Sequence, residues 1–136
     1  MMIQALKKIY ALLSQQMNPK LQGMHLSIPE AEGDYAQGTY FEILAAQHHQ
    51  DFLSHHTMDS ADQSPTDYRN AMWNFLSAAL KGHKDAQYRL GLGYLRGELG
   101  LDRNYELAEL WLSKAAAQGH EHADYVLHHA YEDIVV

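Results

Sequence analysis

Cysteine is absent from this sequence of 136 residues. A chain without cysteine has no disulfide framework and no thiolate chemistry. Long apolar runs are missing too, because lysines and glutamines interrupt the N-terminal residues 1–17. These residues lack the apolar core of a signal peptide or of a membrane span, and we therefore expect a cytoplasmic protein.

An excess of basic charge is also missing. The chain has 17 acidic and 10 basic residues, and its formal net charge is −7 with histidine neutral. This charge disfavours nucleic acid and anionic membranes as main partners, because both repel an acidic surface. A neutral or basic protein partner is compatible with it, and solubility alone explains it as well.

Catalytic motifs are missing as well. There is no G-x-S-x-G and no phosphate-binding loop, and Gly91-x-Gly93 lies inside a helical pattern rather than after a strand. The sequence therefore predicts no enzymatic activity and no cofactor.

One pattern is present twice, at an offset of 37 residues and without gaps. The first repeat begins at Tyr68 and the second at Tyr105. A period between about 20 and 50 residues is typical of repeat arrays. The matched pairs include Tyr68 and Tyr105, Ala71 and Ala108, Gly82 and Gly119, His83 and His120, Tyr88 and Tyr125, and Leu90 and Leu127.

Each repeat predicts a helix, a short turn and a second helix. Apolar residues at helical spacing predict the first helices at about 66–81 and 105–118. Gly82 and Gly119 are expected to end them, because glycine adopts a positive φ without steric cost. The second helices are predicted to begin near Lys84 and Glu121.

The N-terminal half is less regular. Residues 3–17 have apolar side chains at helical spacing, and Asn18-Pro19 ends that predicted helix. A second helix is predicted at about 30–56, followed by a polar loop. The predicted helix at 30–56 resembles a degenerate repeat helix. Gly33 and Gly38 argue against this interpretation, since glycine costs about 1 kcal/mol relative to alanine in a helix. The resemblance lies in the equal spacing of Ala36, Tyr40, Phe41 and Leu44 and of Ala86, Leu90, Gly91 and Tyr94.

The predicted fold is an all-α, single-domain α/α superhelix, a solenoid of antiparallel helix pairs with about six helices. We predict divergent N-terminal helices and a loop at 1–65, a first repeat at 66–104, and a second repeat with a C-terminal cap at 105–136. Because an array normally needs three or more units, the N-terminal helices are expected to complete the stack.

Three groups of residues follow a family pattern, A-x-x-x-L-G-x-x-Y, a glycine loop, and W-x-x-K-A-A-x-x-G-H. They are Ala86, Leu90, Gly91 and Tyr94, then Gly97, Gly100, Leu101, Asp102 and Ala108, then Trp111, Lys114, Ala115, Ala116, Gly119 and His120. These residues resemble the Sel-one-like repeat (SLR), an α/α repeat related to the tetratricopeptide repeat. The resemblance covers about residues 66–131. It implies a scaffold for protein–protein contacts and brings no catalytic residues.

The chain departs from this family pattern in three places. The loop Gly97–Ala108 is one residue longer. Asn74 stands where the second repeat has Trp111, and we expect its neighbour Trp73 to supply the missing bulk by a small rotation. His128 stands at the position of the small Gly91, in a last helix that needs no further close packing.

Candidate partner-binding residues lie beside the core stripe of the first helix of each pair, the helix that usually lines the inner surface of such arrays. Trp111 and five tyrosines recur in the repeat or fit the family pattern and are predicted to be core: Tyr68, Tyr88, Tyr94, Tyr105 and Tyr125. The partner-binding candidates are Asn70, Trp73, Asn74, Ser77, Glu106 and Glu109, with Leu110 and Ser113 beside them.

Ten histidines are the compositional oddity of the chain. His48, Asp51 and His55 could share one helix face, but His48 and His55 are about 10 Å apart along the axis, too far for one metal ion. We therefore predict no metal site there. His83 and His120 match each other and predict a structural role, a hydrogen bond from the ring to a nearby backbone group.

Three functions remain open from the sequence. The first is a bacterial-type interaction module or adaptor that binds a protein through the inner helix face. The second is a neutralising, immunity-type partner of a secreted effector. The third is a histidine-based metal-binding protein. The oligomeric state is left open by the sequence.

Overall fold

The structure, a computed structural model, describes residues 27–55 and 61–130, with side chains from Glu30 onward. These residues form five helices and no strand, which confirms the all-α prediction. The helix predicted at 3–17 and the C-terminal cap after 130 lie outside the described residues. The helices are α1 (Ser27–Ser54), α2 (Ser64–Leu80), α3 (Lys84–Arg96), α4 (Tyr105–Ala117) and α5 (Glu121–His129).

Each helix packs against the next one along the chain, as expected for an α/α repeat array. We call α1, α2 and α3 the first layer, and α3, α4 and α5 the second layer. The core of these layers contains both small and large apolar side chains. Its fully buried members include Ala71, Phe75, Ala78, Leu90, Ala108, Leu112 and Ala115.

Glycine ends both α2 and α4 with the same turn. Gly82 has φ 92° and Gly119 has φ 86°, the left-handed conformation that favours glycine. The next residue, His83 or His120, donates its backbone N–H to a carbonyl of the preceding helix, at 3.0 Å and 3.1 Å. These bonds satisfy the last free carbonyls of each helix, so the predicted helix stops are confirmed.

Two other glycines allow neighbouring helices to approach closely. A Cβ atom on Gly91 would lie 2.6 Å from Cγ of Leu112, and one on Gly38 would lie 2.7 Å from Cδ1 of Phe75. Phe75 and Leu112 are themselves equivalent at the 37-residue offset. The contact of α1 with α2 therefore repeats the contact of α3 with α4.

This contact shows that α1 is a repeat helix, but in a different register from the one predicted. Gly38 corresponds to Gly91, an offset of 53 residues. The predicted alignment of Ala36 with Ala86 is wrong by three residues, because Tyr35 stacks on His83 as Tyr88 stacks on His120, and these two tyrosines are also 53 residues apart. In the observed register Gln37 stands at the position of Leu90, so the apolar spacing of α1 does not reveal this register, and only the packing of α2 selects the buried face.

The predicted core is correct in its centre and wrong at its edge. Trp111 and Tyr94 are buried, and burial raises the pKa of Tyr94 to about 12. Tyr105 and Tyr125, however, are 45% and 62% exposed. Among the described residues no further helix follows α5 to cover Tyr125, whose ring stacks on His129 of its own helix at 4.0 Å.

The long loop after α3 folds back onto the first layer. Its Leu99 has φ 59°, a conformation that is costly for a residue with a Cβ atom. Leu99 and Leu101 are nevertheless buried, in one core cluster with Phe75 and Leu90. The burial of two leucines offsets the cost of the left-handed backbone. Among the helices of the described ranges, none has the length and hydropathy needed to cross a membrane.

Candidate interaction surfaces

The residues predicted to bind a partner lie on α2 and α4. Trp73 is 42% exposed, and Leu110, its equivalent at the 37-residue offset, is 38% exposed. Equivalent positions on successive repeat helices lie on the same side of a stack. We call this side the α2–α4 face and define it by Asn70, Trp73, Glu106, Glu109 and Leu110.

Trp73 does not fill the place of the missing tryptophan. The expectation that it turns inward is wrong, since a large part of its ring is exposed. Asn74 lies half-buried instead and donates a hydrogen bond from its amide to the carbonyl of Asn70, at 2.9 Å. The amide is satisfied within its own helix, so it needs no aromatic neighbour to cover it.

Ser77 is part of the contact between α1 and α2. Its hydroxyl donates to Oδ2 of Asp34 at 2.7 Å, and Nζ of Lys81 lies 2.6 Å from the same oxygen. Burial raises the pKa of the Asp34 carboxyl, but the hydrogen bonds from Lys81 and Ser77 and the charge of Lys81 outweigh burial and lower it. Ser77 therefore has a structural partner in α1. Glu106 and Glu109 lie on α4 and are exposed.

An arginine joins α1, α3 and the loop that follows α3. The guanidinium of Arg89 on α3 binds the carboxylate of Glu42 on α1 and that of Glu98 in the following loop, the latter at 2.8 Å. Burial lowers the pKa of Arg89, but its hydrogen bonds and ion pairs with the two carboxylates outweigh burial and raise it. The group stays charged and holds the loop against the helices.

His83 and His120 have the structural role that the sequence predicts. Nδ1 of each ring accepts the backbone N–H three residues on, from Ala86 and Ala123, at 3.1 Å in both cases. The ring thereby caps the N-terminus of α3 or α5. Sequence reasoning found this bond but missed the other contacts of the rings.

Those contacts join the turn between α2 and α3 to α1, and the turn between α4 and α5 to α3. His83 stacks on Tyr35 with ring centroids 4.4 Å apart, and its Nε2 lies 3.3 Å from Glu32. His120 stacks on Tyr88 at 4.3 Å, and its Nε2 lies 3.2 Å from Asp85. The shared spacing, an acidic residue and then tyrosine three positions later, was the sequence signal that could have revealed them.

The metal candidates on α1 are not brought together. His48 turns towards α2, where its Nδ1 lies 2.6 Å from Oδ2 of the buried Asp67. Nδ1 of His49 lies 3.4 Å from Oδ2 of Asp62. Within residues 27–55 and 61–130, no three histidine, aspartate or glutamate side chains are placed to hold a metal ion.

A groove that the sequence did not indicate lies between the end of α3, the start of α4 and the end of α5. Its volume is about 370 Å³. A narrow apolar notch continues from it between Ala108, Leu112 and Leu127. Because three separate segments form it, no local pattern could predict it. We call it the open groove, and its described lining residues are Leu95, Arg96, Arg103, Tyr105, Tyr125, Val126, His129 and Ala130.

The family model described as Sel1 repeat matches residues 53–83 and 84–120, which together make up half of the chain. Searches of the curated proteins and of the solved structures found no match. Sel1 repeats are generally modules for protein–protein interaction and are typically non-enzymatic.

The family match frames the helix pairs differently from the predicted repeats. Its second range begins at Lys84, so that α3 is the first helix of the unit and α4 the second. The first range contains the end of α1 and all of α2, and the Gly38 contact joins these two helices as the Gly91 contact joins α3 and α4. Two matched units, with repeated glycine contacts and repeated histidine caps, show that this chain belongs to the Sel1 repeat family.

Proposed function

We propose that the chain is a non-catalytic adaptor that binds a protein partner through the α2–α4 face. The observation that carries this proposal is the exposure of Trp73 and Leu110 at equivalent positions of successive helices. Large apolar side chains exposed together on one side of a folded domain are typical of protein-binding surfaces. Membership of an interaction-module family supports the same function.

Side chains around Trp73 supply the polar edge of this surface. Tryptophan is enriched among the residues that dominate binding energy, and such residues are surrounded by contacts that contribute little energy but exclude water. The rim of an interface is polar. Asn70 lies on the same helix, and Glu106 and Glu109 are exposed on α4. These two carboxylates favour a partner with a neutral or basic contact surface.

The two framings of the repeat lead to different expectations for the inner surface. If the units are 66–104 and 105–136, α2 and α4 are the first helices of their units. If the unit is 84–120, as in the family match, its first helix is α3. The test of the proposal therefore compares the α2–α4 face with an exposed surface of α1. Tyr40 and Ile43 on α1 are 59% and 55% exposed and provide an apolar surface of comparable size.

Affinity capture followed by mass spectrometry identifies the partner of the wild-type chain. We expect the variant Asn70→Ala, Trp73→Ala, Glu109→Ala to lose at least about tenfold in affinity for that partner, because truncating a central tryptophan commonly costs 2 kcal/mol or more. Its melting temperature should change little. The matched control, Tyr40→Ala with Ile43→Ala, should bind the partner normally.

Two results would contradict the proposal. If the triple variant keeps its affinity, the partner binds another face. If it loses affinity and thermal stability together, the three residues pack the fold and do not contact a partner. The captured protein also decides between an adaptor and a neutralising role, since a neutralised effector would regain its toxicity when the α2–α4 face is altered.

A further inference from the structure

The first layer shows what fills a groove of this kind. Ala130, which borders the open groove, corresponds to Gly93 at the 37-residue offset. In the first layer, a Cβ atom on Gly93 would lie 3.2 Å from Cδ1 of Leu101 and 3.3 Å from Cδ1 of Leu99. In the first layer the two leucines of the loop therefore occupy a place that no described residue fills beside Ala130 in the second layer.

The segment that fills this place has a definite chemistry. Leu99 and Leu101 alternate along an irregular loop and are both buried. Acidic residues, Glu98 and Asp102, flank them. The Glu98 carboxylate binds Arg89 at 2.8 Å. The first layer thus holds a pair of aliphatic side chains through apolar contact and fixes the acidic residue beside them through an arginine.

The open groove offers matching contacts. Arg96 and Arg103 line one side of it, and Nε of Arg103 donates to the carbonyl of Arg96 at 3.4 Å. Arg96 lies 3.9 Å from Glu98, whereas Arg103 has no ion pair with any residue of the described ranges. In a chain with a net charge of −7, two neighbouring arginines make a local basic edge.

The rest of the groove supplies apolar surface. Tyr105 and Tyr125 are exposed beside Leu95 and Val126, and the notch leads on to Leu127. A volume of about 370 Å³ falls within the range of roughly 300–1,000 Å³ that binding pockets occupy. One carboxylate, that of Glu109, borders the notch and would repel an acidic group there. An acidic ligand group would therefore lie at the arginine side, with its aliphatic groups towards the notch.

We propose that the open groove binds an extended acidic segment of a partner protein that carries two aliphatic side chains at alternate positions. The inference rests on the proposed adaptor function, since the groove is a second contact surface for the same binding role. Tyrosine and arginine are enriched at the centres of protein interfaces. The residues of the groove therefore match both the composition of an interface and the chemistry of the loop in the first layer.

The probe is a synthetic peptide with the sequence GELGLD, which copies residues 97–102. The full chain, labelled with ¹⁵N, is titrated with it and followed by NMR. We expect a Kd of about 1 mM, in the range of short unstructured peptides, with shifted amides confined to the lining of the groove. A peptide with both leucines replaced by serine should bind at least about tenfold more weakly. A peptide with both acids replaced by lysine should weaken similarly.

Charge-reversal variants test the basic edge. Arg96→Glu with Arg103→Glu should weaken peptide binding at least about tenfold and leave the fold intact, because both side chains are exposed. The matched control is Arg69→Glu, an exposed arginine of α2 outside the groove, and it should bind like the wild type.

Three outcomes would overturn the inference. The first is the absence of saturable shifts in the lining of the groove, or equal binding of the serine peptide. The second is binding only when Ile134→Ser and Val136→Ser are introduced, which would show that the chain's own residues occupy the groove. The third is a concentration-dependent dimer that the Arg96→Glu, Arg103→Glu variant abolishes, which would assign the groove to another molecule of the same chain.

The captured partner separates this inference from the adaptor function. If the partner binds through Trp73 but the peptide does not bind, the groove proposal fails and the adaptor function stands. If the peptide binds in the groove but no partner depends on Trp73, the α2–α4 face is wrong and the groove proposal stands.

Discussion

The two layers of the stack have the same framework and different coverage. Both contain a glycine where two helices touch, Gly38 or Gly91, and both contain a capping histidine stacked on a tyrosine. In the first layer the loop leucines close the remaining space, whereas the second layer has the open groove. Tyr88 is half-buried, whereas its equivalent Tyr125 is exposed. The burial of a repeat position therefore depends on the helix that packs next to it.

The largest expected effect distinguishes the two layers by their equivalent leucines. Leu90 is 1% exposed in the first layer, so Leu90→Ala should cost about 2–5 kcal/mol in the free energy of unfolding. Leu127 is half-buried beside the notch, and Leu127→Ala should cost less than half as much. Urea unfolding measures both values. Equal losses would mean that the second layer is as closed as the first.

The next largest effect is expected at the two glycines where helices touch, and it shows whether these two contacts are equivalent. Gly38→Ala and Gly91→Ala should each cost about 1–3 kcal/mol, because the added Cβ atom meets a packed core side chain below 3.0 Å. Gly33→Ala is the matched control on α1, where nothing lies within 4 Å of the added atom. It should stabilise the protein by up to about 1 kcal/mol. A neutral Gly38→Ala would show that α1 does not pack as α3 does.

The histidine caps give a smaller effect. His83→Ala should cost about 1–2 kcal/mol, since it removes an N-cap acceptor and a ring stacked on Tyr35. His83→Asn should restore part of this loss, because asparagine can also accept the capping N–H. His120→Ala should lower the free energy of unfolding by less, since His120 caps α5, the last of the described helices. Thermal unfolding compares them with His55→Ala, an exposed histidine; a loss from His83→Ala no larger than that control would exclude the cap.

The smallest effect is the pH dependence of the ion pair in the first layer. The lowered pKa of Asp34 means that its contribution is fully present above the pKa of the unfolded chain. That contribution is lost as the pH falls through the lower pKa of the folded state. Asp34→Asn should therefore make the free energy of unfolding less dependent on pH between about pH 5 and pH 3. Parallel pH profiles for the variant and the wild type would show that the pair with Lys81 contributes nothing.

Local patterns predicted much of the fold. The bounds of α4 and the starts of α3 and α5 follow from apolar spacing and from glycine, which ends a helix whatever surrounds it. The hydrogen bonds of His83 and His120 followed from their identical places in the two repeats. These features depend on neighbours within about four residues, so a linear pattern contains them.

The surfaces could be predicted only in part. Trp73 and Leu110 were candidates from their alignment, but whether they pack inward depends on what adjoins α2 and α4. The pattern predicts Ser77 as a surface residue that contacts a partner, but its hydroxyl donates a hydrogen bond to Asp34, 43 residues away in the sequence. Residues distant in sequence decide such contacts, and periodicity carries no information about them.

The α/α repeat array follows from the linear chain alone, because apolar spacing, glycine turns and the 37-residue repeat are properties of the amino-acid order. The tertiary structure decided the register of α1, the exposure of Tyr105 and Tyr125, and the open groove. Each of these depends on which side chains meet across separate helices. One apolar spacing is compatible with several helix faces, and only packing selects the face that is buried.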